Sequence, residues 1–138
     1  MPERFADSDQ FAPDATEILR LANLARAALP DKVRDAAAEV ALVIEELADA
    51  DLCDELEIDD PFELTGLYEG IPLTEKSLAD QPLSPDRIVL FRRAILDEWV
   101  ARGDVSLNHL VAHVLVHEFA HHFGWSDDDI AQIDRWWE

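Results

Sequence analysis

The run from Leu107 to Phe123 contains no Gly or Pro, is rich in Val, Leu, Ala and Phe, and is marked at both ends, by Ser106 in front and Gly124 behind. Ser is a favoured N-cap because its hydroxyl accepts a backbone N–H of the first turn. Gly suits the left-handed residue that closes a helix. One helix with fixed ends is therefore expected. It is apolar nearly all round, with Val111, Leu115 and Phe119 on one side and Leu110 and Val114 close to a stripe of histidines. A helix of that composition reads as buried, so the rest of the chain has to pack around it.

Within this run stands His117-Glu118-Phe119-Ala120-His121, the pattern H-E-x-x-H, continued by x-x-G-x-x-D to Asp127. On a helix the two histidines lie one turn apart on one face, so their imidazoles can converge on a single metal ion, with zinc the natural choice. Glu118 projects from the flank of that face. It can reach a water at the metal without becoming a ligand, as a general base in metal-assisted peptide hydrolysis does. The competing reading is a pair of core histidines bonded to backbone carbonyls. Two histidines and a glutamate inside a buried helix are costly unless something satisfies them, and a metal with its water would do so.

A catalytic zinc site ordinarily has three protein ligands, and Asp127 is the best candidate for the third. Gly124 lets the chain reverse, so a residue three positions later can swing back toward the metal. A second reading stands beside this one. Ser126-Asp127-Asp128-Asp129 also reads as the start of a final helix, with Ser126 as N-cap and Asp129 completing a capping box. Asp128 and Glu138 are lesser ligand candidates. His109 and His113 continue the spacing of four upstream, drifting about 40° per step, and are expected to line the cleft or support the ligands. His122 points to another side of the helix, toward Phe119 and Phe123, and reads as structural.

With 138 residues, 49% of them hydrophobic, the chain fits one domain over 1–138, its first dozen residues expected to be flexible. The formal charge is -20, from 31 acidic against 11 basic residues. Such a field repels phosphate backbones and anionic lipid, which argues against nucleic-acid and membrane-surface partners. It suits cationic peptides, or serves solubility alone. The single cysteine, Cys53, makes no intrachain disulfide, and neither a signal-like start nor a membrane-length apolar run is seen. A cytoplasmic protein is expected.

A first helix is expected from Asp14, with Ile18, Leu21, Leu24, Ala25 and Leu29 at amphipathic spacing before Pro30. A short second helix follows to Ala38. Residues 40–44 read as a buried strand, 45–60 as an acidic loop or short helix, and 64–70 as a second strand whose glycines permit close approach. A Pro-marked loop over 72–85, a strand over 87–91 and a helix over 92–101 precede the break at Gly103 and the motif helix. Ile130, Ile133 and Trp137 mark a terminal helix. This order predicts an α+β fold, a small twisted sheet of about three strands with the motif helix across one face and helices at both ends.

Three segments together resemble a family of small bacterial zincin-like metallopeptidases: Gly66-Leu67-Tyr68-Glu69-Gly70, Pro85-Asp86-Arg87-Ile88-Val89-Leu90-Phe91, and His117-Glu118-Phe119-Ala120-His121-His122-Phe123-Gly124. The resemblance runs from about Leu29 onward. It implies a minimal zincin fold, zinc held by His117 and His121, and Glu118 as catalytic base. Asp127 matches the position where metzincins carry a third histidine, and some zincins have Asp there. The only methionine is Met1, so the chain has no Met-turn and is not an ordinary metzincin. Zincin sites usually add a neutral donor for the oxyanion. Tyr68, the only tyrosine, is the candidate by elimination, and a strand tyrosine covering the core edge is its other reading. An exposed strand within 64–70 could align an extended peptide. The expected function is a zinc-dependent peptidase acting on a peptide or protein. A metal-binding interaction or regulatory module without turnover, and a hydrolase of non-peptide amides, are the alternatives.

Overall fold

The computed structural model describes residues 12–70 and 86–124. The N-terminal segment, the 72–85 loop and the expected terminal helix lie outside them.

Helix α1, Ala15–Ala27, begins where Asp14 accepts the Glu17 N–H at 2.9 Å, and it buries Ile18, Leu21, Ala22 and Ala25. That spacing of three and four residues is the apolar stripe an amphipathic helix turns to its core. Pro30 opens α2, Asp31–Ala38, and the Arg26 guanidinium reaches back from α1 to the carbonyl of Val40. Strand β1, Ala41–Glu45, follows. The acidic connection then holds a short helix α3, Ala50–Leu56, capped by Asp49 on the Leu52 N–H, and a 3-10 turn at Pro61–Glu63. This was one of its two readings.

Strand β2 is Gly66–Glu69 and β3 is Arg87–Phe91, and the sheet order is β1-β3-β2. β3 runs parallel to β1, with Ala41 opposite Arg87, and antiparallel to β2, with Gly66 opposite Leu90. As the central strand, β3 is covered on both faces. Ile88 and Leu90 enter the main core with α1 and α5, while Val89 and Phe91 enter a smaller one with Ala48, Cys53 and Ala94. That double burial explains its unbroken apolar run. Helix α4, Arg92–Arg102, leaves β3 directly and stops at Gly103, whose φ of 73° is left-handed.

Helix α5, Leu107–Phe123, has the expected ends. Ser106 Oγ accepts the His109 N–H at 3.1 Å, and Gly124, at φ 69°, returns its N–H to Ala120. α5 packs on β2 and β3, with α1 along another side. Val111, Leu115 and Phe119 are fully buried. The expectation that α5 is buried all round is corrected, because His117 and His121 are exposed. The sheet is narrow, α5 has more contact with β2 than with β3, and along the histidine stripe His109 and His113 are half-buried while His117 and His121 are exposed. No described helix is long and apolar enough to cross a membrane.

Candidate metal centre

Successive turns of α5 set His113, His117 and His121 along its open side. The His113 and His117 rings lie 4.4 Å apart at 58°. Both line a cleft of about 250 Å³ together with Thr65, Glu98, Val114 and Glu118. His109, expected beside them, is not part of its wall. The cleft brings His117 and Glu118 of the motif beside Thr65, the residue before β2, while His121 is not part of its wall.

Glu118 sits on the border between open and buried. Its side chain is 13% exposed, against 67% for His121, whose Nδ1 is 3.9 Å from Glu118 Oε1. The close approach of β2 is possible because Gly66 has no side chain. A Cβ there would lie 2.9 Å from Val114 Cγ1 and 3.1 Å from Glu118 Cγ. Among the described strands β2 is also an edge. The Thr65 carbonyl accepts the Phe91 N–H, so by antiparallel alternation Leu67 and Glu69 bond to β3, whereas Gly66 and Tyr68 turn their backbone groups outward. The outward Tyr68 N–H donates to the Glu118 carboxylate. Burial pushes the Glu118 carboxyl above its ordinary range, outweighing the opposing influence of His121, His117 and the Tyr68 N–H.

The Tyr68 hydroxyl faces the other way from the outward backbone, into a buried cluster. It donates to Asp86 Oδ2 at 3.1 Å and lies 3.4 Å from His122 Nδ1, which is itself 3.1 Å from Asp86 Oδ2. This is the core-edge placement, one of the two readings of Tyr68. His122 packs edge-on against Tyr68 and Phe123, the structural position expected for it. Asp127, Asp128 and Glu138 lie outside the described residues. Among the described residues no three His, Cys, Asp or Glu side chains are grouped to hold a metal ion. His117 and His121 are both exposed, one turn apart on α5.

Three residues of this region carried no assigned role in the sequence. Glu98 pairs with Arg102 at 2.8 Å, four residues on, and such spacing reads as an ordinary surface pair. Thr65 gave no signal. Asp86 did give one, an acid directly before an apolar strand, but only the fold shows that it meets Tyr68 and His122.

The family model for zincin-like metallopeptidases matches residues 37–137. The chain belongs to this family. No match to a curated protein is found. The described helices and mixed three-stranded sheet are a minimal zincin-like fold. In this zincin-like metallopeptidase the matched segment takes in every described strand, the motif helix α5 and Asp127, while α1 precedes it.

Proposed function

We propose that this zincin-like metallopeptidase is a zinc-dependent peptidase in which His117 and His121 hold the metal, Asp127 completes the ligand set and Glu118 is the general base. The observation that carries the reading is the setting of Glu118. Its carboxylate stands beside two exposed imidazoles, is partly buried, and is oriented by the Tyr68 N–H. The donors fit the ion, since imidazole nitrogens one helical turn apart on an accessible stripe are ordinary zinc ligands. Bound zinc supplies Lewis acidity, which makes water a nucleophile at neutral pH and polarises a peptide carbonyl.

Glu118 takes a proton from the attacking water onto its carboxylate and later gives it to the leaving amine. A carboxyl raised by burial is a better base for this purpose, because its proton affinity lies closer to the working pH. The β2 edge supports a peptide substrate in particular. Gly66 turns its N–H and C=O outward and Tyr68 its C=O, so an extended chain can pair alongside α5 while a side chain enters the cleft beside Glu98 and Thr65.

The test is the zinc content of purified protein together with a peptide-library digest. The expected result is a single zinc per protomer and cleavage that improves with peptide length; protein without zinc or cleavage would overturn the reading. Asp127→Asn, compared with Asp128→Asn, tests the third ligand. A ligand change weakens zinc binding sharply at Asp127 alone, because an amide replaces carboxylate poorly at zinc. A capping residue would lose about 1 kcal/mol or less of stability and keep the metal. Equal zinc affinity in the two variants would remove Asp127 from the site.

A further inference from the structure

We propose that Asp86 is a positioning residue for Glu118, acting through Tyr68. The proposal rests on Glu118 being the base of the reading above. It begins from the two glycines of β2 and its margin. Gly66 leaves room for Glu118, and Gly70 leaves room for Asp86, since a Cβ at Gly70 would lie 2.2 Å from Asp86 Oδ1. Tyr68 stands midway between them and touches both acids. Its hydroxyl donates to Asp86 Oδ2 and its N–H to the Glu118 carboxylate.

A four-residue edge strand needs something to hold it in register, because edges open more readily than the centre of a sheet. Besides its backbone pairing with β3, two side-chain contacts among the described residues hold this end of β2. One is the ion pair of Glu69 with Arg87, whose side chains are 41% and 42% exposed. Exposed pairs are screened by solvent and hold little. The other is the Asp86 cluster, with Asp86 6% and His122 5% exposed, where each polar contact is strengthened by its surroundings and costly to leave unmade. The buried cluster is the stronger tie. The Asp86 backbone is tied as well, its carbonyl accepting the Ala41 N–H of β1 at 3.2 Å.

Asp86 thus joins the start of β3, the end of β2 and the last turn of α5. Glu118 and His122 are one turn apart on α5, both on the side facing β2. Holding the Tyr68 hydroxyl beside His122 sets how far along α5 the strand sits, and with it where the Tyr68 N–H meets Glu118. One carboxylate, away from the open stripe, thereby orients the other.

Amide hydrogen exchange on the full-length, metal-free protein tests this directly. In Asp86→Ala the Tyr68 amide exchanges about tenfold faster or more, while the Leu67 and Glu69 amides, bonded into β3, change far less. Tyr68→Phe, which keeps the ring and loses only the hydroxyl, gives the same selective acceleration, and Asp86→Asn, whose amide oxygen still accepts from Tyr68, largely restores protection. In zinc-loaded protein Asp86→Ala lowers kcat by about tenfold or more with KM and zinc content little changed, as misorientation of a base requires. Unchanged exchange at Tyr68 in both Asp86→Ala and Tyr68→Phe overturns the proposal. Equal acceleration of all three amides in both variants also overturns it, since Asp86 would then hold the strand without orienting Tyr68. If wild-type protein cleaves no peptide, the peptidase reading fails, and the exchange pattern still decides whether Asp86 sets the contact to Glu118.

Discussion

His121 and His122 are neighbours in the chain and occupy the same last turns of α5, yet their surroundings are opposite. The His121 side chain is largely in solvent, whereas His122 is enclosed by Tyr68, Phe123 and Asp86. A helix turns each residue roughly 100° from the one before. One histidine therefore faces the open side and the other faces β2. On the open side His117 and His121 are exposed, and His113 is half-buried with its ring against that of His117. Glu118 and His122 are held in place by a strand. The comparison teaches that one helix has an open side and a strand-facing side, with Glu118 at their border. Substitutions on the two sides should fail in different ways.

The largest difference is expected between the adjacent histidines themselves. His117→Ala and His121→Ala lose zinc affinity by more than about 100-fold, since even supporting groups around a metal are worth that much. Their metal-free stability stays within about 0.5 kcal/mol of wild type, as for other surface changes. His122→Ala costs about 3 kcal/mol in metal-free stability by removing one of the two groups that face buried Asp86 Oδ2, leaving the Tyr68 hydroxyl alone there. Zinc titration and urea unfolding of the variants check both halves. A His122→Ala protein as stable as His121→Ala would erase the distinction.

A smaller effect separates two glycines. Gly70 and Gly103 both have φ values disfavoured for other residues, 150° and 73°, but only Gly70 has a neighbour in the space a Cβ would take. Gly103→Ala should cost about 1–2 kcal/mol for the left-handed backbone alone. Gly70→Ala should exceed it, because Asp86 must also move. Equal losses in chemical denaturation would mean that the Asp86 cluster yields easily.

The smallest effect concerns Glu118 in metal-free protein. Burial raises its carboxyl, so the folded state holds the proton more tightly than the unfolded chain. The resulting stabilisation is complete below the unfolded value of about 4.3 and is lost as pH rises through the higher folded value. Glu118→Gln does not titrate. Its Tm should exceed that of wild type at about pH 8, with the gap closing toward acid. A gap independent of pH would show that the carboxyl is not raised.

Much of the open side was legible in the sequence because it is local. Helix spacing alone puts His117 and His121 one turn apart, and Ser106 and Gly124 mark the ends of α5. The strand over Arg87–Phe91 was equally clear, since a central strand buried on both faces leaves an unbroken apolar run. The strand-facing side was not legible. Tyr68, Asp86 and His122 are far apart in the chain and meet only because β2 and β3 pair antiparallel against α5. Apolar residues nearly all round α5 also misled, because composition does not tell that His117 and His121 face outward among the described residues.

The central claim is that Glu118, at the border of the two sides, is the base. It is tested most directly by the turnover of zinc-loaded Glu118→Gln against wild type on a peptide that wild type cleaves, at equal zinc content. The amide keeps the size and can still face the Tyr68 N–H, but it cannot accept the proton of water. The account predicts a fall in kcat of about 10²–10⁴-fold with zinc retained. Equal turnover by the two proteins would contradict it.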